Sequence, residues 1–147
     1  MLRSLENKVA WVTGAGTGIG EAGAIALAQA GMHVVLSGRR QEKLEEVASQ
    51  CGDAVSIEML DVADRDAVAQ VAQRIIATHG RIDVLVASAG INVKERNWHN
   101  VSFDDWDSVI RIDLDGAFYC CKAVLPKMKA QGAVSYTHLT LPTNVAV

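Results

Sequence analysis

The sequence predicts a doubly wound parallel α/β sheet in three α/β/α layers, and three observations predict it. Short apolar runs alternate with segments of helical period along the 147 residues. A glycine-rich turn stands directly between the first such run and the first helical segment. Half of the residues are apolar, 21% are charged and only 2 are proline, which suits a chain folding around a core and excludes a disordered or collagen-like one. A chain of this length buries about two-thirds of its unfolded surface, enough for one domain and too little for two.

Val9 to Val12 is the first strand, apolar on both faces as a helix-covered parallel strand should be. The glycines follow, and Ile19 to Ala30 is an alanine-rich helix with Gly31 where a glycine ends a helix. His33 to Leu36 is the second strand. Leu44, Val47, Ala48 and Cys51 recur as one apolar stripe on a second helix, whose other face carries Glu42, Lys43, Glu45 and Glu46. Ala54 to Leu60 is the third strand. Asp64 caps a third helix with Val68, Val71, Ala72, Ile75 and Ile76 on its buried face, and Gly80 ends it. Ile82 to Ala87 is the fourth strand, followed by a polar loop from Asn92 to Val101. Ser102 and Asp105 open a long helix toward Lys129 in the manner of a capping box, and Pro126 is expected to kink it or end it early. Such alternation implies right-handed crossovers, with ligands at the carboxyl ends of the strands.

A net charge of −3 provides no broad positive field for nucleic-acid phosphates or anionic lipid. Cys51, Cys120 and Cys121 lack metal-ligand spacing and read as buried or helical thiols of a reducing compartment. His33, His79, His99 and His138 are scattered, so no metal is expected. Neither a leader-like start nor an apolar run long enough to span a membrane is present, and a cytoplasmic location is expected.

The sharpest motif is Thr13-Gly14-Ala15-Gly16-Thr17-Gly18-Ile19-Gly20. Glycines there let the backbone turn tightly and approach a pyrophosphate, while free N–H groups and the helix dipole favour its charge. A second glycine string, Gly18 to Gly23, lies too far into the helix to serve in this way. After the second strand comes Ser37-Gly38-Arg39-Arg40, with no carboxylate at the tip. An acid there would bind both ribose hydroxyls of NAD and repel a 2′-phosphate, whereas Arg39 can bond a phosphate, so NADP is favoured and NAD is the alternative. Arg39 and Arg40 also fit a plain solvated helix start. Trp98, Phe103 and Trp106 could line a substrate mouth, but near a helix start they read more readily as packing anchors. Asp104, Asp105 and Asp107 read as a solvated first turn.

From about residue 5 to 132 the chain resembles the short-chain dehydrogenases/reductases, a Rossmann-fold family. Thr13, Gly14, Gly18, Ile19 and Gly20 match its TGxxxGIG phosphate loop, and LENKVAWVTG and LAQAGMHVV match its opening and its helix-to-strand passage. Asp61 and Val62 match the pair that contacts adenine, and Ser88, Ala89 and Gly90 match the end of its NNAG element, with Ser88 in place of an asparagine. The resemblance implies cofactor binding by Gly14, Gly16, Thr17, Gly18, Ile19, Gly20, Arg39, Asp61, Val62, Ser88, Ala89 and Gly90. It implies hydride transfer between NADP and a small-molecule carbonyl or secondary alcohol, in a full-length enzyme that is a homo-oligomer. Asp113 stands where the family has a helix asparagine supporting a proton relay. An ionised carboxylate accepts but cannot donate, so Asp113 reads equally as a plain polar helix residue.

The family's catalytic serine and YxxxK pair are not found in these 147 residues. Tyr119 and Tyr136 are followed four positions on by Ala123 and Thr140, and no lysine follows Lys129, so no catalytic residue is assigned. From Val134 the chain reads VSYTHLTLPT, which resembles a translated transposon adapter from sequencing-library preparation. Residues 1–133 are thus expected to be the cofactor-binding part, cut after the fourth strand and its long helix, and 134–147 a non-native tail able at most to imitate an edge strand. The expected product is a chain that binds cofactor without turnover. The alternative is a noncatalytic dinucleotide-binding or regulatory module.

Overall fold

The computed structural model describes residues 5–132. The expected tail, and the edge strand it could imitate, lie outside them. The elements are β1 (Val9–Thr13), α1 (Gly18–Gln29), β2 (His33–Gly38), α2 (Gln41–Cys51), β3 (Val55–Met59), α3 (Arg65–His79), β4 (Val84–Ala87), α4 (Phe103–Val109), a π-helical segment (Ile110–Asp115) and α5 (Gly116–Ala130). The four strands form one parallel sheet in the order β3-β2-β1-β4. The chain therefore reverses its direction of growth between β1 and β4, at the place where open α/β sheets bind ligands.

Alternation along the central strands sorts the core into two layers. Val9, Trp11 and Val35 point to one face and pack with α3 and α5 through Val68, Val71, Ile75, Cys120 and Val124. Ala10, Val12, Val34 and Leu36 point to the other and pack with α1 and α2 through Ala24, Leu44 and Val47. Full burial of one such Val or Leu contributes roughly 1.5–3 kcal/mol, so both faces are needed to hold the sheet. The α2 and α3 stripes predicted from periodicity fall into these layers, with Ala48, Cys51 and Ile76 partly buried at their margins.

Caps fix where α3 begins and ends. The Asp64 carboxylate accepts from the Asp66 and Ala67 N–H groups, both at 3.0 Å, and Gly80 closes the helix at φ 73° with its N–H on the Ile76 carbonyl. Gly31 likewise follows α1 at φ 90°. Ser102 caps α4: its oxygen accepts from the Asp105 N–H at 3.0 Å, and its hydroxyl donates to the Asp105 carboxylate at 2.8 Å.

Two expectations are corrected. The fourth strand starts at Val84, because the backbone of Ile82 is taken by a side chain: Gln131 accepts from its N–H at 3.2 Å and donates to its carbonyl at 2.9 Å. The long helix after Ser102 is interrupted at the π segment 110–115, well before Pro126, and α5 runs through Pro126 to Ala130. A proline removes one N–H and crowds one turn. Burial of Cys120, Val124 and Met128, spaced four residues apart on one face of α5, holds the helix together across it.

Tertiary packing also pairs two residues that are far apart in sequence. His33 and His79 lie with ring centroids 4.2 Å apart, and His33 Nε2 is 3.1 Å from Ser56 Oγ. Burial, and then the neighbouring His79, pull the His33 pKa below its ordinary 6.5. At the same end of the sheet, where β1 starts, burial pushes the Asp83 carboxyl up, but hydrogen bonds from Arg81 and the Val9 N–H, with the charges of Arg81 and Lys8, outweigh it and leave the pKa lowered. Both groups hold fewer protons folded than unfolded, so both stabilise the fold at high pH and lose that contribution on acidification. The melting temperature should fall first below pH 6.5, from His33, and again below pH 3.8, from Asp83. Thermal unfolding against pH tests this, with His33→Gln expected to lack the first step; an unchanged first step in that variant would refute the assignment.

Among the described residues no helix is long and apolar enough to cross a membrane. Two thiols are held in the unreactive protonated form: burial, then Cys121, raises the Cys120 pKa to about 12, and burial raises that of Cys51.

Candidate functional site

At the carboxyl ends of the strands a crevice of about 400 Å³ opens between the glycine-rich loop after β1, the start of α2 and the loop after β4. Its shape follows from three glycines. Gly14 turns at φ 64°, and a Cβ there would stand 2.7 Å from the Ser88 carbonyl and the Ala89 backbone, so only glycine lets the two loops touch. Gly20 opens the first turn of α1 directly on Gly14, where a Cβ would run into the Gly14 carbonyl. Gly18 is needed for its dihedral of φ 62° and has open space around it. The loop is anchored by the Ala15 N–H on the Ser37 carbonyl at 3.1 Å and by Thr13 Oγ1, which accepts from the Ala89 N–H at 3.4 Å.

Electrostatics suit an anion. Thr17 and Arg40 hold the N-cap positions of α1 and α2, and neither side chain caps its helix. Elsewhere Asp64 and Ser102 satisfy the first N–H groups of α3 and α4. The two helices that begin at the crevice thus keep their amides and the positive end of their dipoles for a ligand. Arg39, Arg40 and Lys43 join that wall, and Asp61 is its acidic member. One oxygen of Asp61 accepts from the Ala63 N–H at 3.0 Å, which orients the carboxylate.

Of the residues expected to form the site, Gly14, Gly16, Thr17, Arg39, Asp61, Val62, Ala89 and Gly90 line this one crevice. Gly18, Ile19 and Gly20 form the start of α1 behind it, and Ser88 stands behind Ala89 with its carbonyl against Gly14. Gly23 lies mid-helix with nothing near it, so the second glycine string takes no part. No local sequence signal marks Gly116. A Cβ there would stand 2.6 Å from Val62 Cγ2, so this glycine lets α5 come close enough to seat Val62.

Asp113 is brought to the site by the π segment. Its Oδ1 accepts from the Ile91 N–H at 2.8 Å and lies 3.4 Å from where a Gly90 Cβ would be, so the carboxylate pins the loop after β4. That contact needs an acceptor only, and an aspartate provides one as well as an asparagine does. The reading of Trp98, Phe103 and Trp106 as packing anchors is overturned: they are 79%, 90% and 49% exposed, with Trp98 and Trp106 edge to face at 6.3 Å. No element of the described residues covers them. Lys43, expected on the solvated face of α2, instead stands in the crevice wall.

A parallel sheet that reverses at a glycine loop, with two uncapped helix N-termini and adjacent arginines, defines a dinucleotide-binding α/β protein. A model of the short chain dehydrogenase family matches residues 8–135. The chain belongs to that family. An uncharacterized oxidoreductase of Staphylococcus aureus strain USA300 is 39% identical over 130 residues, which are 88% of this chain and 56% of that protein. An NADP-dependent 3-hydroxy acid dehydrogenase of Shigella flexneri is 38% identical over 117 residues, 80% of this chain and 47% of that one. The crystal structure of a metagenomic short-chain oxidoreductase in complex with NADP superposes with a TM-score of 0.83 at 36% identity, covering 88% of this chain and 60% of the other. The 3-ketoacyl-(acyl-carrier-protein) reductase of Brucella melitensis, complexed with NADH, superposes with the same TM-score of 0.83 at 32% identity, covering 88% and 53%. The chain spans about half the length of the curated relatives it matches.

Proposed function

We propose that residues 1–133 are the cofactor-binding part of an NADP-dependent oxidoreductase that moves hydride between nicotinamide and a carbonyl or secondary alcohol, and that residues 134–147 contribute nothing to it. One observation carries the choice of cofactor: the tip of β2 presents Arg39 and Arg40 to the crevice and has no carboxylate. An acid there would pair with ribose hydroxyls and repel a 2′-phosphate, whereas a guanidinium forms charge-assisted bonds to it. NADP in one similar structure supports the reading, and NADH in another keeps NAD as the alternative.

The residues fit the cofactor. Gly14, Gly16 and Thr17, with the free first-turn amides of Gly18, Ile19 and Gly20, hold the pyrophosphate. Arg39 takes the 2′-phosphate. Asp61 and Val62 flank the adenine, while Ser88, Ala89 and Gly90 bound the nicotinamide half. When bound, the cofactor supplies the hydride. Asp113 then acts as a positioning residue, through the Ile91 N–H. No tyrosine of these 147 residues has a lysine four positions on, so the polypeptide itself lacks a proton donor of that kind and binds cofactor without turnover.

Fluorescence titration tests this reading. NADPH should bind more tightly than NADH, and Arg39→Ala should remove about tenfold of NADPH affinity while leaving NADH unchanged, as expected for one hydrogen bond between charged groups. Equal affinities before and after the substitution would refute the cofactor choice, and cofactor-dependent carbonyl reduction by the same sample would refute the absence of turnover.

A further inference from the structure

We propose that Lys43 is a specificity-determining residue for the phosphate on the adenine ribose, and that Glu46 sets how much of its charge that phosphate receives. The proposal rests on the NADP reading above and adds to it a residue on a different element from Arg39.

The placement is a matter of close packing. A Cβ at Gly16 would stand 3.0 Å from Lys43 Cβ, so the first turn of α2 lies directly on the glycine loop and the Lys43 stem leaves from that contact. Its side chain is 38% exposed and shares the crevice wall with Gly16, Thr17, Arg39 and Arg40. This wall is also where α2 presents its uncapped N-terminal amides. Lys43, Arg39 and Arg40 are the three cationic residues of the crevice lining, so an anionic group bound at this wall has all three on its border.

The ammonium is already engaged. Lys43 Nζ donates to Glu46 Oε2 at 2.7 Å, three residues on along α2. Glu46 is 60% exposed, and a solvated pair of this kind holds its lysine weakly. A phosphate monoester near neutral pH carries more negative charge than one carboxylate and offers three acceptor oxygens. The Lys43 ammonium is accordingly shared with, or drawn from, Glu46 when the phosphate arrives, and the carboxylate acts as a competitor that lowers the net gain. NAD lacks that phosphate and leaves the Lys43–Glu46 pair as it is. A lysine suits such a shared role, since it is a point charge on a flexible stem and needs no bidentate geometry.

Titration of the purified chain with NADPH and NADH at two salt concentrations tests the assignment. Lys43→Met should weaken NADPH binding about three- to tenfold, leave NADH binding unchanged and flatten the salt dependence of NADPH affinity. Lys43→Arg should restore most of the loss. Glu46→Gln should tighten NADPH about twofold or more by removing the competitor. Unchanged melting temperatures would show that the variants fold. If the wild type prefers NADPH and Arg39→Ala abolishes the preference while Lys43→Met affects both cofactors equally or neither, the role of Lys43 is refuted and the cofactor reading stands. If Glu46→Gln leaves NADPH affinity unchanged, its tuning role is refuted. A wild type that binds the two cofactors equally overturns the cofactor reading and this proposal together.

Discussion

Gly14→Ala should abolish dinucleotide binding and lower the melting temperature by roughly 10 °C, taking about 4 °C per kcal/mol for a chain of this size. Two costs combine. The added methyl would stand 2.7 Å from the Ala89 backbone and the Ser88 carbonyl, groups that cannot rotate away. Overpacking of that kind costs about 1–3 kcal/mol. The φ of 64° adds roughly 1–2 kcal/mol for a residue with a Cβ. Relief requires the loop after β1 to separate from the loop after β4, which opens the crevice and breaks the bond from the Ala89 N–H to Thr13 Oγ1. Gly23→Ala is the matched control. It lies mid-helix with open space around it, so it should stabilise the chain by up to about 1 kcal/mol and leave binding intact. Calorimetry and NADPH titration on both variants decide the matter; similar behaviour of the two would show that the glycine loop has no special geometry.

Trp11→Ala should come close to unfolding the chain. Trp11 is fully buried at the centre of the sheet, between Val35 of β2 and Leu85 of β4, and a large aromatic cut to alanine costs about 3–5 kcal/mol. Small domains have only about 5–15 kcal/mol in hand. A subtler series separates packing from polarity. The Trp11 indole N–H donates to Ser37 Oγ at 2.9 Å, and Ser37 is itself fully buried. Trp11→Phe keeps much of the ring and strands the hydroxyl, at about 1–3 kcal/mol for the unpaired group. Adding Ser37→Ala should recover part of that loss, because both partners are then apolar. Urea unfolding of the single and double variants measures the coupling, and purely additive effects would show that the bond contributes nothing. The series bears on the site as well, since the Ser37 carbonyl receives the Ala15 N–H that anchors the glycine loop.

Local pattern made most of the framework legible. Both faces of β1 and β2 are apolar, the stripes of α2 and α3 recur at helical spacing, and Asp64, Gly80 and Ser102 act within three or four residues of themselves. The glycine loop was legible for the same reason, because its dihedrals and its crowding with α1 are short-range demands. Elsewhere a distant partner outweighs the local signal. Gln131 takes the Ile82 backbone from 49 residues away, and buried Cys120, Val124 and Met128 carry α5 across Pro126. Trp98, Phe103 and Trp106 stay exposed because no other described element reaches them.

The order of elements, the glycine-rich turn after β1 and the lack of an acid beside Arg39 can all be read along the chain. These depend on neighbours along the chain, whose separation is set by covalent geometry. Packing between distant segments is what lets Asp113 clip Ile91, Gly116 admit Val62 and Lys43 lie on Gly16. Each joins segments more than twenty residues apart, and such contacts depend on how whole layers pack, which no single stretch of chain encodes.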